Sequence, residues 1–279
     1  MERALQPYGL RRVLAALGIS LRGPESLPLA APAVRVPHPA VEGVKLDKLC
    51  CDLSGRRVAD GLNVELTEKR IGIIGRNGSG KSTLLKLIAG LRAPSAGSVR
   101  VHGIDPATDR KALLSTLGIL FQNPDHQILF PTVGEELAFC LLQQGASRAD
   151  AAAAVTALLA LEGRPHWHDA TTNSLSDGQR HYLNLLSILL MRPKIILLDG
   201  PFAGIDLPTT IRLLRRLAAL PLQIIAVRHD PETLMVCDRA LWIEEGRIER
   251  DGPVTKVLRD YIQAMTNRGL FDADTDLAG

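Results

Sequence analysis

Aromatic residues are scarce in this chain, 4% of 279 positions, and no Tyr, Phe or Trp occurs between Gly9 and Leu120. The first third therefore offers no ring on which a ligand could stack. Long hydrophobic runs are also missing. The best, Leu183 to Met191, is interrupted by Asn184 and Ser187 and falls short of the roughly 18 apolar residues that suggest a membrane span. Work at a membrane would require docking onto another chain. The four cysteines, Cys50, Cys51, Cys140 and Cys237, show no C-x-x-C spacing. That argues against a thiolate metal cluster or a disulfide framework and for idle thiols in a reducing cytosol. Charge of one sign does not dominate either. The net charge is +3 with pI ≈ 8.7, acidic and basic residues alternate, and no basic stripe for nucleic acid emerges.

What is present reads as a globular α/β chain, 46% hydrophobic and 23% charged, long enough for one large domain with appendages. Residues 1–43 stand apart. Leu10, Val13, Leu14 and Leu17 recur at helical spacing, and Pro24, Pro28, Pro32, Pro37 and Pro39 then forbid sustained helix or sheet. The expected division is an N-terminal extension and Pro/Ala-rich linker over 1–43, a body over 44–262 and an acidic tail over 263–279, disordered from Phe271. Within the body, Val44–Leu49, Gly61–Leu66 and Ser98–Gly103 read as an antiparallel β layer. Leu117–Phe121, Lys194–Asp199 and Leu222–Val227 are continuous apolar runs of parallel-sheet type. Thr209–Leu220 reads as the helix between the last two. A helical subdomain spans about 133–192, broken around Gly163–Ser174. Ala240–Ile243 and Arg247–Glu249 form a hairpin turning at Glu245-Gly246.

The most specific motif is Gly75-Arg76-Asn77-Gly78-Ser79-Gly80-Lys81-Ser82-Thr83, which follows the apolar strand Ile71–Ile74 and opens an amphipathic helix. It fits G-x-x-x-x-G-K-[ST], the phosphate-cradling P-loop. A triphosphate needs several inward backbone N–H groups, and glycines let the chain bend into that concavity. Lys81 supplies a point charge, Ser82 a hydroxyl for Mg²⁺, and the helix N-terminus faces the same anion.

Asp199 closes a strand, where a carboxylate can hold Mg²⁺, and Gln122 ends another at the same edge. Leu175-Ser176-Asp177-Gly178-Gln179 opens a helix with Ser176 as N-cap and free N–H groups facing outward. His229 follows the strand Leu222–Val227, where a neutral imidazole could donate to a γ-phosphate. Taken singly, these are turn, surface, cap and edge residues; their order after a P-loop gives them meaning.

Together, Gly75–Thr83, Gln122, Leu175–Gln179, Ile195–Asp206 and His229 resemble the ATP-binding-cassette (ABC) ATPases over roughly Val44 to Arg259. The resemblance implies a P-loop NTPase cassette with a RecA-like parallel sheet core, an antiparallel β subdomain and an inserted helical subdomain. It implies ATP and Mg²⁺, with Ser82, Gln122 and Asp199 around the metal and Gln122, Asp199 and His229 as catalytic residues. Two cassettes would sandwich two ATP molecules, each P-loop facing the other chain's Ser176, Asp177, Gly178 and Gln179, with Asp206 in a loop between the sites. Phe121–Gln127, Phe130–Val133, Gly134–Phe139 and Gly200–Pro208 are most similar to energy-coupling-factor importers, biotin-importer ATPases first and cobalt-importer ATPases next. The implied partners are a second cassette, the same chain or a different one, a membrane coupling (T) subunit and a substrate-binding (S) subunit. The implied place is the cytoplasmic face of the inner membrane, peripherally attached, with no nucleic acid.

Three positions depart from that pattern. Gly200 stands where the family places a glutamate that orients or deprotonates the attacking water. Losing a positioned base costs about 10²–10⁴-fold in rate. The expectation is therefore strong ATP binding with weak hydrolysis, whether by slow turnover helped by His229 or by pairing with a competent cassette. A regulatory nucleotide switch is the alternative function; a further explanation of Gly200 is a deliberate or accidental change from Glu, whose codons lie one base away. A repair or translation ATPase is disfavoured, since the chain lacks long insertions and a second cassette. Asp177 replaces a glycine in the signature. Leu53 falls where an adenine-stacking aromatic is expected, which predicts weak base selectivity.

Overall fold

The computed structural model describes residues 43–200, 205, 207–228 and 231–275; the expected N-terminal extension and linker, Asp206 and His229 lie outside the described residues. Alternation of apolar and polar residues, interrupted once at Asp47-Lys48, builds the first sheet. Strand β1 (Val44–Leu53) buries Val44, Leu46, Leu49 and Cys51 on one face. It pairs antiparallel with β2 (Arg56–Leu66) and, beyond β3 (Arg70–Ile74) and helix α1 (Lys81–Ile88), with β4 (Ala96–Val101), in the order β2-β1-β4. Register shifts between Leu46, Leu49 and Cys51 carry β1 past the expected end at Leu49, as far as Leu53.

Helix α2 (Arg110–Thr116), capped by Asp109, leads into β5 (Leu117–Leu120). The inserted helices follow: α3 (Val133–Gln143), α4 (Arg148–Leu161) and α5 (Asp177–Leu190). Then come β6 (Ile195–Asp199), α6 (Leu207–Ala218), β7 (Gln223–Val227), β8 (Arg239–Glu244), β9 (Arg247–Pro253) and α7 (Val254–Thr275). The second sheet runs β5-β6-β7-β3-β8-β9. Its first five strands are parallel and β9, the second arm of the expected hairpin, adds an antiparallel edge.

Both faces of this sheet are covered along its parallel strands, which is why β5, β6 and β7 are largely apolar, whereas the edge strand β9 is polar and exposed. Ile71 and Ile73 pack with Leu84, Leu85 and Ile88 of α1 and with the antiparallel sheet. Ile74 and Trp242 pack with Val254, Val257 and Leu258 of α7 on the other side. A separate core of Val133, Leu137, Val155, Leu159, Trp167, Leu183 and Leu186 holds the inserted helices together. Fully burying side chains of this size contributes about 1.5–3 kcal/mol each.

One expectation is corrected. Helix α7 carries the chain to Thr275, through the stretch from 263 that reads as an acidic tail and past Phe271, where disorder is expected. Its apolar first turns are anchored on β8, and propagating an anchored helix is far easier than nucleating a free one. None of the described helices is long and apolar enough to cross a membrane.

Candidate nucleotide-binding site

The parallel register places the C-terminal ends of β3, β5 and β6 along one sheet edge: Leu120 pairs with Leu198, and Asp199 with Val227. Ligand chemistry in open α/β sheets sits at this edge. The loop Gly75–Gly80 leaves β3 and enters α1 at Gly80, whose φ is 104° and whose added Cβ would lie 2.3 Å from the Val58 carbonyl oxygen. Only glycine fits there.

Lys81 is 4% exposed. Its Nζ donates to the carbonyls of Gly75 at 2.8 Å and Arg76 at 2.6 Å, closing the loop on itself. Burial lowers its pKa, opposed by the charges of Glu244 and Asp199. Ser79 Oγ is buried with no hydrogen-bond partner, although it lies within the loop, 2.8 Å from where a Gly75 Cβ would stand. An orphaned hydroxyl inside a ring of main-chain amides fits a loop shaped to receive phosphate oxygens.

Ser82 Oγ donates to Asp199 Oδ1 at 2.8 Å. The side chain of Gln122 lies beside Gly200, so the three residues read as metal ligands converge on one corner. A hydroxyl, a carboxylate and an amide oxygen are hard donors that fit Mg²⁺.

The Ser176 loop is built as its sequence suggests. Ser176 caps α5 in a capping box: its Oγ accepts from the Gln179 N–H, and Gln179 Oε1 accepts from the Ser176 N–H at 2.8 Å. Asp177 is exposed and its carboxylate pairs with Arg180, not with the cradle. Gly178 is buried in the first turn.

Three residues of α5 to which the sequence alone assigns no role hold the Gln122 segment. Arg180 reaches Asp125 at 3.1 Å. His181, 2% exposed, sets its ring nitrogens 3.0 Å from the Asp177 carbonyl and 3.2 Å from the Gln122 carbonyl. Asn184 Nδ2 donates to the Pro124 carbonyl at 3.1 Å. The i, i+4 spacing of Arg180 and Asn184 behind a cap is the signal that could have marked them.

The ABC transporter family model matches residues 60–203. A Rhodobacter capsulatus protein, "Biotin transport ATP-binding protein BioM", is 49% identical over 81% of this chain and 96% of its own length. The chain belongs to the ABC transporter family. A Rhizobium etli protein of the same name is 38% identical over 74% of the chain and 92% of its own length. Clostridium perfringens cbiO1, described as part of the ABC transporter complex cbiONQ, superposes with a TM-score of 0.67 at 28% identity, covering 78% of this chain and 91% of that one. The cassette is thus the ATP-binding subunit of an ABC transporter, an ATPase of a family whose cassettes dimerise.

Within the cassette, the position after Asp199 is the anomaly. Gly200 adopts φ 58°, a left-handed conformation. Among the described residues, a Cβ there would meet the Gln122 side chain, at the ordinary contact distance of 3.8 Å. No carboxylate stands between Asp199 and Ile205 in sequence. Leu53, at the end of β1 where it pairs with Arg56, is 37% exposed, and β2 runs beneath Gly80 and Gly246 through Val58. Around it the side chains are ionic: Arg57 pairs with Asp52 at 2.6 Å, and Arg247 with Asp60 at 2.6 Å.

Proposed function

We propose that this chain is the ATP-binding subunit of an energy-coupling-factor importer whose cargo is biotin, with cobalt the second choice of cargo. The observation that carries this reading is the 49% identity over 96% of the length of a biotin-transport ATPase, joined to a closed phosphate cradle. Gly75–Thr83 receive the triphosphate through main-chain amides, and Lys81 Nζ exchanges its carbonyl partners for phosphate oxygens. Ser82, Asp199 and Gln122 would hold Mg²⁺, which when bound neutralises charge on the phosphates. A second cassette covers the nucleotide with Ser176, Gly178 and Gln179, and closure of the pair drives the membrane partners.

Those partners are a coupling (T) subunit and a substrate-binding (S) subunit, with the cassette peripheral on the cytoplasmic face. The surface that suits the coupling subunit is an apolar cavity of about 220 Å³ between the sheet and the inserted helices, lined by Leu114, Leu129, Phe139 and Met191 among others. Leu91, Leu114 and Leu129 at this cavity are 51%, 58% and 68% exposed, an apolar rim that a partner would cover.

Gly200 favours a second reading, in which this cassette binds ATP but contributes a degenerate site beside a competent one, or acts as a nucleotide switch. His229 and Asp206 enter either reading only as proposed γ-phosphate contact and inter-site residue. Co-expression with a T and an S subunit, purification of the complex, and assay of ATP-dependent biotin uptake in vesicles test the first reading. Phosphate release near about 1 s⁻¹ or faster, the low end of ordinary enzymes, removes the second. A complex that assembles and takes up biotin without ATP removes the first.

A further inference from the structure

The P-loop is wired to the C-terminal helix by one carboxylate. Arg76 Nε donates to Glu244 at the end of β8. Glu244 is 9% exposed, and both of its oxygens are engaged. Oε1 also accepts from Arg268 of α7 at 3.2 Å, and Oε2 accepts from the Trp242 indole N–H at 3.3 Å. Burial opposes the charge of Glu244, but the bonds from Arg76, Trp242 and Arg268 outweigh it and hold its pKa below the ordinary carboxylate value.

The surrounding main chain shows why this carboxylate matters to the cradle. A Cβ on Gly75 would lie 2.0 Å from the Ile243 carbonyl oxygen, so β8 runs directly against the loop. Gly246 N donates to Ser79 O at 3.1 Å, fastening the β8–β9 turn to the same loop. Trp242 stacks edge-on against Tyr261 of α7 at 5.4 Å. The loop, the end of β8 and two turns of α7 therefore meet at Glu244.

We propose that Glu244 is a positioning residue for nucleotide binding: through Arg76 it holds the P-loop in its receptive shape, and through Arg268 it couples that shape to α7. The proposal rests on the reading of Gly75–Thr83 as the ATP cradle. A cradle held open in advance spends less binding energy on its own ordering. The coupling is reciprocal, so whatever holds α7 in place favours nucleotide, and nucleotide orders α7.

The test is equilibrium titration of the full chain with a fluorescent ATP analogue in Mg²⁺, comparing wild type, Glu244→Gln, Arg76→Gln, the double variant and Arg268→Gln. Glu244→Gln should weaken binding about tenfold, the size expected for a lost charge-assisted hydrogen bond, and the double variant should be no weaker than the worse single. Arg268→Gln, which removes a half-exposed guanidinium at the longer of the two Arg–Glu244 contacts, should cost ~2–5-fold. It should also abolish the slowing of amide hydrogen exchange that nucleotide produces around Arg268, a readout that mere structural support would not move. Unchanged or tighter binding in Glu244→Gln, or additive losses in the double variant, overturns the proposal while wild-type binding leaves the cradle standing. Absence of binding in the wild type itself overturns both. If Glu244→Gln does not fold, Arg268→Gln decides: unchanged affinity with unchanged exchange protection counts against the coupling.

Discussion

Strands β3 and β6 end at the same edge of one sheet, yet they are finished to different degrees. Beyond β3 the loop is over-determined: glycines fit against Val58 and Ile243, Lys81 bridges two carbonyls, and Ser79 keeps an unpartnered hydroxyl inside the ring. Beyond β6 the chain supplies Asp199, 2.8 Å from Ser82, and then a left-handed glycine beside the Gln122 side chain. The contrast teaches that holding a triphosphate and cleaving it are separate properties of neighbouring strand ends. Phosphate affinity rests on main-chain amides and one lysine, and this chain carries those groups at the end of β3. Activation of water needs a positioned base, and the position that would carry it is bare.

The sharpest way to break the comparison is to complete the β6 end. Gly200→Glu should raise steady-state phosphate release by about 10²–10⁴-fold, the usual worth of a positioned base, with little change in ATP affinity. Holding an L-residue in the left-handed conformation that Gly200 adopts costs roughly 1–2 kcal/mol, so a small drop in melting temperature should accompany the gain. An unchanged rate would mean that water is already activated by another group. Dismantling the β3 end comes next. Lys81→Ala should weaken ATP binding by about 10²-fold, as expected for losing charge-assisted bonds worth roughly 1.5–3 kcal/mol each, measured by calorimetric titration of a protein whose thermal unfolding is otherwise ordinary.

Leu53→Tyr sharpens the picture at the base. A stacking ring is worth about 1–3 kcal/mol in nucleic-acid complexes, so the variant should bind ATP more tightly and prefer it over pyrimidine triphosphates. Equal affinities for all four triphosphates before and after would show that the base is not held at this corner. The smallest effect belongs to the capping box. Ser176→Ala should cost about 1 kcal/mol of stability, read as a lowered urea midpoint, whatever further loss it causes in dimer closure.

The β3 end was legible in the sequence because its chemistry is local: nine consecutive residues carry the bend, the charge and the hydroxyl. The sheet was legible for a similar reason, since the apolar runs Ile195–Leu198 and Ile224–Val227 could only be buried on both faces. What escaped was either long-range or masked by composition. Nothing in the neighbourhood of His181 announces that its ring reaches the Gln122 carbonyl, and Glu244 looks like one more turn carboxylate until Arg76 and Arg268 are brought to it. The short helix α2 hides in the polar stretch after Asp109. The last turns of α7 hide behind Asp272 and Asp274, whose charges suggest a solvated tail but sit on a helix already anchored by Val254 and Val257.

The account stands most directly on sedimentation of the full-length chain with and without Mg²⁺-ATP. It predicts that ATP converts monomer to dimer, that the dimer persists because turnover is slow, and that Lys81→Ala stays monomeric. A wild-type chain whose sedimentation is indifferent to Mg²⁺-ATP, or a Lys81→Ala variant that dimerises equally well, would contradict it.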